Sequence, residues 1–310
     1  MLIKQEIDFM KQLEIERESH MTSKEVIKKE PGSYNEMYTN RNVRILLSDY
    51  TVVVNKLLKN HPNATPFAKI IFAKAIVTYA PLLQLFSKAG SMQITINSSG
   101  PFAPIKIYLD QPGHIRANLA NWEIATEYDN SENINSIPSI LGIGDSGLIK
   151  VKYEINSKIY ESQVKLAAGD FSTDLAYLFD QSWQIFSGNN HSVILDKNNN
   201  ITKAISVVMQ LLPGHDEDDI ELIKKCFKDN DLSKLTIDEI VDRIPNSKKL
   251  STFLLDDDCN CSFDKKVNSI KNLDENVIND LYKNKDTVEV KCPQCGKSDF
   301  IKKSDLGKEN

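Results

Sequence analysis

The chain has 310 residues, of which 41% are hydrophobic and 26% charged, and its formal net charge is −5. That balance fits a soluble globular protein with one large domain or two smaller ones. It argues against nucleic acid or an anionic membrane as the main partner, because both need a basic surface, and no run approaches the ~18 apolar residues of a membrane span.

The first residues, "MLIKQEIDFMKQLEIERESH", are charged and lack a long apolar core. They do not read as a secretory signal, so a cytoplasmic location is expected. Residues 1–35 form an N-terminal extension, a disordered arm or an amphipathic helix with weak spacing at Ile3, Ile7 and Met10. Residues 36–212 read as an α+β core domain of antiparallel sheet with helices. "NVRILLSDYTVVVNKLL" carries β-branched runs, and "PFAKIIFAKAIVTYAPLLQLFS" is apolar nearly all round, as in a buried helix perturbed at Pro81. Three strand-like runs follow, "MQITIN", "PIKIYLD" and "HIRANLA", the last two joined at Gln111–Gly113. "LIKVKYEI" and "KIYESQVKL" alternate and turn at Asn156–Ser157. "DFSTDLAYLFDQSWQIF" has helical spacing, with Asp170 or Ser172 as N-cap. "SVILDKNNNITKAISVVMQLL" reads as a third hairpin. Successive hairpins with interspersed helices predict α+β rather than a wound parallel sheet.

The character changes after "LLPGH". Residues 213–255 read as a helical linker of small helices with little core of their own, "DEDDIELIKKCFKDN" placing acids in its first turn and lysines later. Residues 256–310 form a small domain with one helix, "DENVINDLYKNK", and need a staple to fold.

Three motifs are decoys. "GIGDSG" (Gly142–Gly147) fits G-x-G-x-x-G, but a strand follows it where a dinucleotide loop needs a helix. Gly144-Asp145-Ser146-Gly147 resembles a serine-protease nucleophile loop, yet none of the five histidines has a matching context. Cys226, beside Phe227 and at helical spacing from Ile220 and Ile223, reads as a small buried residue.

The other four cysteines form two tight pairs, Cys259-Asn260-Cys261 and Cys292-Pro293-Gln294-Cys295, thirty residues apart. Structural zinc wants four ligands in a tetrahedron and favours thiolate. C-x-x-C delivers two ligands from one turn. Gly296 lets that turn close with φ > 0, and Pro293 stiffens it. Zinc binding by Cys259, Cys261, Cys292 and Cys295 is therefore expected, with structural disulfides or unrelated thiols as the alternatives. Zinc keeps sulfurs deprotonated and supplies folding free energy to so small a module, so oxidation of the pairs could expel the metal and unfold it.

With these residues in view, the chain resembles the redox-regulated heat-shock protein 33 family, the 33 kDa chaperonins. C-x-C followed by about thirty residues and C-x-x-C is the family signature. "SGPFAPIKIYLDQPGHIRANLAN", "GDFSTDLAYLFDQSWQIFSG" and "VVMQLLPGHDED" are similar to three further family segments, so the likeness runs from about Asn40 to about Leu306. Ala103, Ala117-Asn118 and Trp183 depart from the family pattern, and the N-terminal arm has no counterpart there. The resemblance implies a holdase, not an enzyme. In its reduced form it would be a monomer holding one zinc ion. When oxidised it would form the disulfides Cys259–Cys261 and Cys292–Cys295, lose zinc, unfold the zinc domain and linker, dimerise and bind unfolding client proteins. ATP would not be needed, in keeping with the lack of a P-loop. The competing reading is a zinc-ribbon module for nucleic acid or protein. Against nucleic acid stand the near-balanced charges after Lys248 and the run Asp256–Asp258 abutting the first pair. A thiol oxidoreductase would need a thioredoxin-like βαβ unit around Cys292, and the sequence shows none.

Overall fold

The structure, a computed structural model, describes residues 32–86, 89–111, 113–229 and 234–307. The expected N-terminal extension lies outside the described residues as far as Pro31, as does Pro112 of the expected Gln111–Gly113 turn. The strands are β1 (Ser33–Asn40), β2 (Val43–Asp49), β3 (Ala89–Ser98), β4 (Ile105–Asp110), β5 (His114–Leu119), β6 (Gly147–Ile155), β7 (Lys158–Lys165), β8 (Ser187–Leu195), β9 (Ile201–Leu211), β10 (Lys248–Leu255), β11 (Thr287–Lys291) and β12 (Ser298–Lys302). The helices are α1 (Thr51–Leu58), α2 (Pro66–Tyr79), α3 (Leu82–Leu85), α4 (Ile140–Ile143), α5 (Phe171–Leu178), α6 (Glu217–Asp229), α7 (Ile237–Asp242), α8 (Phe263–Lys271) and α9 (Glu275–Leu281).

Two five-stranded antiparallel sheets form the core, in the orders β10-β1-β2-β9-β8 and β5-β4-β3-β6-β7. Between them lies α2, packed on β8 and β9 of the first sheet and on β4 and β5 of the second. Thr65 caps α2 by accepting from the Ala68 N–H, and Pro66 supplies the preset φ of its first turn. Phe67, Ile70, Ile71, Phe72 and Ile76 are all fully buried, which is why the helix is apolar on every side. The stretch Pro66–Leu85 is long and apolar enough for a membrane span, contrary to the expectation from apolar runs alone, but 83% of its apolar window is buried inside the fold. The helix ends before Pro81, and α3 resumes at Leu82.

The three expected hairpins form. Asn156 and Ser157 both adopt positive φ, at 49° and 61°, as a tight two-residue turn between β6 and β7 requires. Asn199, φ 61°, serves the turn between β8 and β9. Asp170, the N-cap of α5, accepts from the Thr173 N–H. Beyond α5 the chain widens into a π-turn over Phe179–Trp183. "GIGDSG" runs from α4 into β6, so no helix opens after it, and Cys226 is buried in an apolar cluster.

The two sheets differ in strand pattern. β4 alternates strictly between core and outer face, whereas β2 and β9 carry consecutive buried residues such as Ile45, Leu46 and Leu47. Burial on both faces means the first sheet has a second cover. Helices α6 and α7, with Ile244 just after α7, provide it: Ile223, Cys226, Ile237, Ile240 and Ile244 pack with Tyr38, Val43, Ile45, Leu47, Val207 and Met209. The 213–255 segment thus shares an apolar core with the sheet, where the sequence suggested little core. Its end is also not helical, because Lys248–Leu255 forms β10 and pairs antiparallel with β1. Arg41, in the β1–β2 turn, anchors the start of α6 through Asp216, Asp218 and Asp219.

Candidate metal centre

After β10 the chain crosses to the second sheet. Asp256 bridges to His114, its carbonyl accepting from the Ile115 N–H (2.8 Å) and its N–H donating to Gly113 (3.2 Å). The carboxylate of Asp256 meets His114 Nδ1 at 2.5 Å. Cys259 and Cys261 follow in the irregular chain before α8. Ser262 then caps α8 by accepting from the Lys265 N–H. The hairpin β11–β12 carries the second pair in its turn, where the Cys292 N–H donates to Lys297 O (3.0 Å) and the Gly296 N–H to Cys292 O (2.9 Å). The module's own core is small: Val267, Ile270, Tyr282, Val288 and Ile301.

Folding brings all four expected sulfurs to one point. The atoms lie within 4.8 Å of one another, with Cys259 to Cys292 at 3.8 Å and Cys261 to Cys295 at 3.6 Å. Sulfurs at the corners of a zinc tetrahedron, about 2.3 Å from the metal, stand about 3.8 Å apart. Cys292 and Cys295 are buried and the other two half-buried. Burial pushes the Cys259 and Cys295 thiols up, the latter far up. At Cys292 burial is outweighed by the N–H groups of Cys295 and Gln294 and by neighbouring sulfur, which hold that thiol below its usual value. Four thiolates this close repel one another unless a cation sits among them. The donor set and its spacing fit a tetrahedral divalent ion. The two short contacts join different pairs, so proximity in this fold does not select a disulfide pairing.

Polar contacts join the module to the core. Asn60 Nδ2 donates to Cys295 O (3.0 Å) and Asn118 Nδ2 to Pro293 O (3.4 Å). His61 stacks on Trp122, with ring centroids 3.7 Å apart, and presses on the cysteine turn. A Cβ on Gly296 would lie 2.2 Å from the His61 ring, and Gly296 has φ 75°, so glycine meets two demands there. Burial, with Lys291 nearby, lowers the His61 pKa to about 4, so its ring is neutral. Lys266 is buried beside the sulfurs, donating to Lys297 O (2.8 Å) and to Asp299 (2.5 Å).

Sequence reading found the four cysteines and the positive φ of Gly296, but not the core residues that support them. Asn60, His61, Asn118 and Trp122 lie more than a hundred residues from the cysteines they support and follow no motif. The alternation of Lys106, Tyr108 and Asp110 on β4 was the available signal that this sheet has a polar outer face.

Fold and site together define a mixed α+β core that carries a C-terminal four-thiol module. The model of the Hsp33 protein family matches residues 34–299. The chain belongs to that family. It is 24% identical over 273 residues to the 33 kDa chaperonin of Bacillus velezensis, covering 85% of this chain and 92% of the relative. To the 33 kDa chaperonin of Thermosipho melanesiensis it is 27% identical over 275 residues, covering 86% and 94%. The solved 33 kDa chaperonin of Thermotoga maritima shares the fold, with a TM-score of 0.78 at 20% identity over 89% of this chain and 97% of that one.

Proposed function

We propose that this protein is an ATP-independent molecular chaperone, a holdase for unfolding proteins in the cytoplasm, switched on by oxidation. The observation that carries the reading is the four-thiol cluster itself, set in a module whose own core is five residues. Cys259, Cys261, Cys292 and Cys295 hold one zinc ion in the reduced monomer, and the metal supplies the cross-link that so small a core lacks. Oxidant closes Cys259–Cys261 and Cys292–Cys295, a pairing taken from the family resemblance. The metal ligands are then gone, the module and the 213–255 segment loosen, and apolar surface becomes available to clients and to a second copy. The outer face of the first sheet is such a surface, since Val43, Ile45, Val207 and Met209 pack in one cluster with residues of the 213–255 segment.

The test is a single sample followed before and after peroxide with mild heat. Metal content, intact mass and suppression of aggregation of a chemically denatured client are read together. One zinc lost, a metal-free mass lower by four hydrogen atoms and a gain in suppression are expected. Oxidised, zinc-free protein that holds no client would sink the reading.

A further inference from the structure

The outer face of the second sheet and the four-thiol module do not close on each other. Between them lies a cleft of about 680 Å³, within the range of small-molecule sites. Strand register builds its floor: Arg116, Tyr108, Gln93 and Lys152 stand side by side across β5, β4, β3 and β6. Its roof holds Cys259, Cys261 and Cys292. Arg116, Lys152, Lys265, Lys266 and Lys291 line it against two acids, Asp110 and Glu154.

Most of these cations are already engaged: Arg116 with Asp110, Lys152 with Glu161, Lys266 with Asp299 and Lys291 with Glu289. Two donors are not spent on acids. Lys265 Nζ bonds two neutral oxygens of Asn260. Arg116 is 5% exposed, and its Nε is buried with no hydrogen-bond partner among the described residues. A buried guanidinium N–H without an acceptor is costly unless something else accepts it. Tyr108, Ile159 and Val290 add apolar lining, which suits an organic anion better than a bare inorganic one.

We propose that this cleft binds a small disulfide bearing carboxylates and presents it to Cys259 or Cys261. The proposal rests on the reading of these cysteines as redox-active. One cysteine thiolate attacks a sulfur of the bound R–S–S–R, forming a protein–S–S–R mixed disulfide and releasing RS⁻. The paired thiolate then displaces the second RS⁻, leaving a protein disulfide. The protein loses two electrons and the small disulfide gains both, so no other oxidant is consumed.

The experiment treats reduced, zinc-loaded protein with dianionic dithiobis-nitrobenzoate and, separately, with neutral dithiodipyridine. A short free-cysteine peptide sets the reference ratio of the two rates. The protein's dianion-to-neutral ratio should exceed the peptide's by ~10-fold at low salt and fall toward it as ionic strength rises. Peptide mapping should place the first adduct on Cys259 or Cys261. Lys265→Gln and Lys152→Gln, both at exposed side chains, should lower the ratio severalfold. A peptide-like ratio, or one unmoved by both variants, would overturn the site while leaving the redox reading intact. Failure of both reagents to modify any of the four cysteines would overturn that reading and the site with it.

Discussion

The two core sheets share one interior and differ in what covers their outer faces. The first is sealed by α6 and α7 through a continuous apolar cluster. The second faces the four-thiol module across a polar cleft spanned by hydrogen bonds from Asn60 and Asn118. Burying apolar area stabilises a cover by tens of calories per square ångström, while an exchangeable hydrogen bond adds about 1 kcal/mol net. The linker helices are therefore held by packing. The module is held by where β10 and Asp256 deliver it and, on the proposed reading, by its metal cross-link. Loss of that cross-link should act first on the weakly docked cover.

The largest break in this comparison is metal removal. Zinc binding is worth about 10–16 kcal/mol in small zinc modules, far more than the five-residue core can replace. A strong chelator, or Cys292→Ser, should abolish hydrogen-exchange protection of β11 and β12 while protection of α2 persists. Retained protection in the module would mean that it folds without a metal.

The next effect is on the sealed face. Ile240 is fully buried on α7, so Ile240→Ala should cost about 2–5 kcal/mol. Faster exchange should spread through α6 and α7 to β10, with the metal centre intact. If metal affinity fell in step, the two covers would be one cooperative unit and the distinction drawn above would fail.

Acid should strike the shared interior. His191 touches Ser172 (2.9 Å) and Thr78 (3.2 Å), and burial, with Lys74 adding to it, lowers its pKa to about 4. In the unfolded chain it titrates near 6.5. Between those values the unfolded state binds more protons, so stability is full above about pH 6.5 and falls as pH drops toward about 4. The melting temperature should decline from pH 7 to pH 5 by a few degrees. His191→Gln should lessen the decline, leaving the part that His61 contributes, and an unchanged slope would assign it to other groups.

How much of this was legible in the sequence follows from where each signal lies. Turn chemistry is local, so Asn156–Ser157 placed the β6–β7 hairpin correctly. The cysteine pairs are local too, and all four sulfurs converge. β10 was missed because its partner, β1, lies about two hundred residues upstream and because most of its residues are exposed or half-exposed. The cover on the first sheet was written in the unbroken apolar runs "ILL" and "VVM", which a one-sided strand would not carry. The cleft was not legible, since Arg116, Tyr108, Gln93 and Lys152 come together only through register.

The smallest predicted effect is the most specific to the weakly docked cover. Asn60 follows α1, and its side-chain N–H₂ donates to the carbonyl of Cys295. Asn60→Ala removes one partly buried hydrogen bond, about 1 kcal/mol, or about fivefold in the docking equilibrium. Because the lost contact joins module to core, the variant should keep its metal affinity and its melting temperature. What should change is the rate at which a mild oxidant releases the metal, rising up to about fivefold if undocking precedes attack on the sulfurs. Trp122→Ala removes the ring that backs His61 and should act in the same direction, at a cost to the core because Trp122 also packs on Phe72. An unchanged release rate in Asn60→Ala would mean that attack occurs on the docked module through the open cleft. That outcome would place control of the switch in the cleft's own cations rather than in the contact between module and sheet.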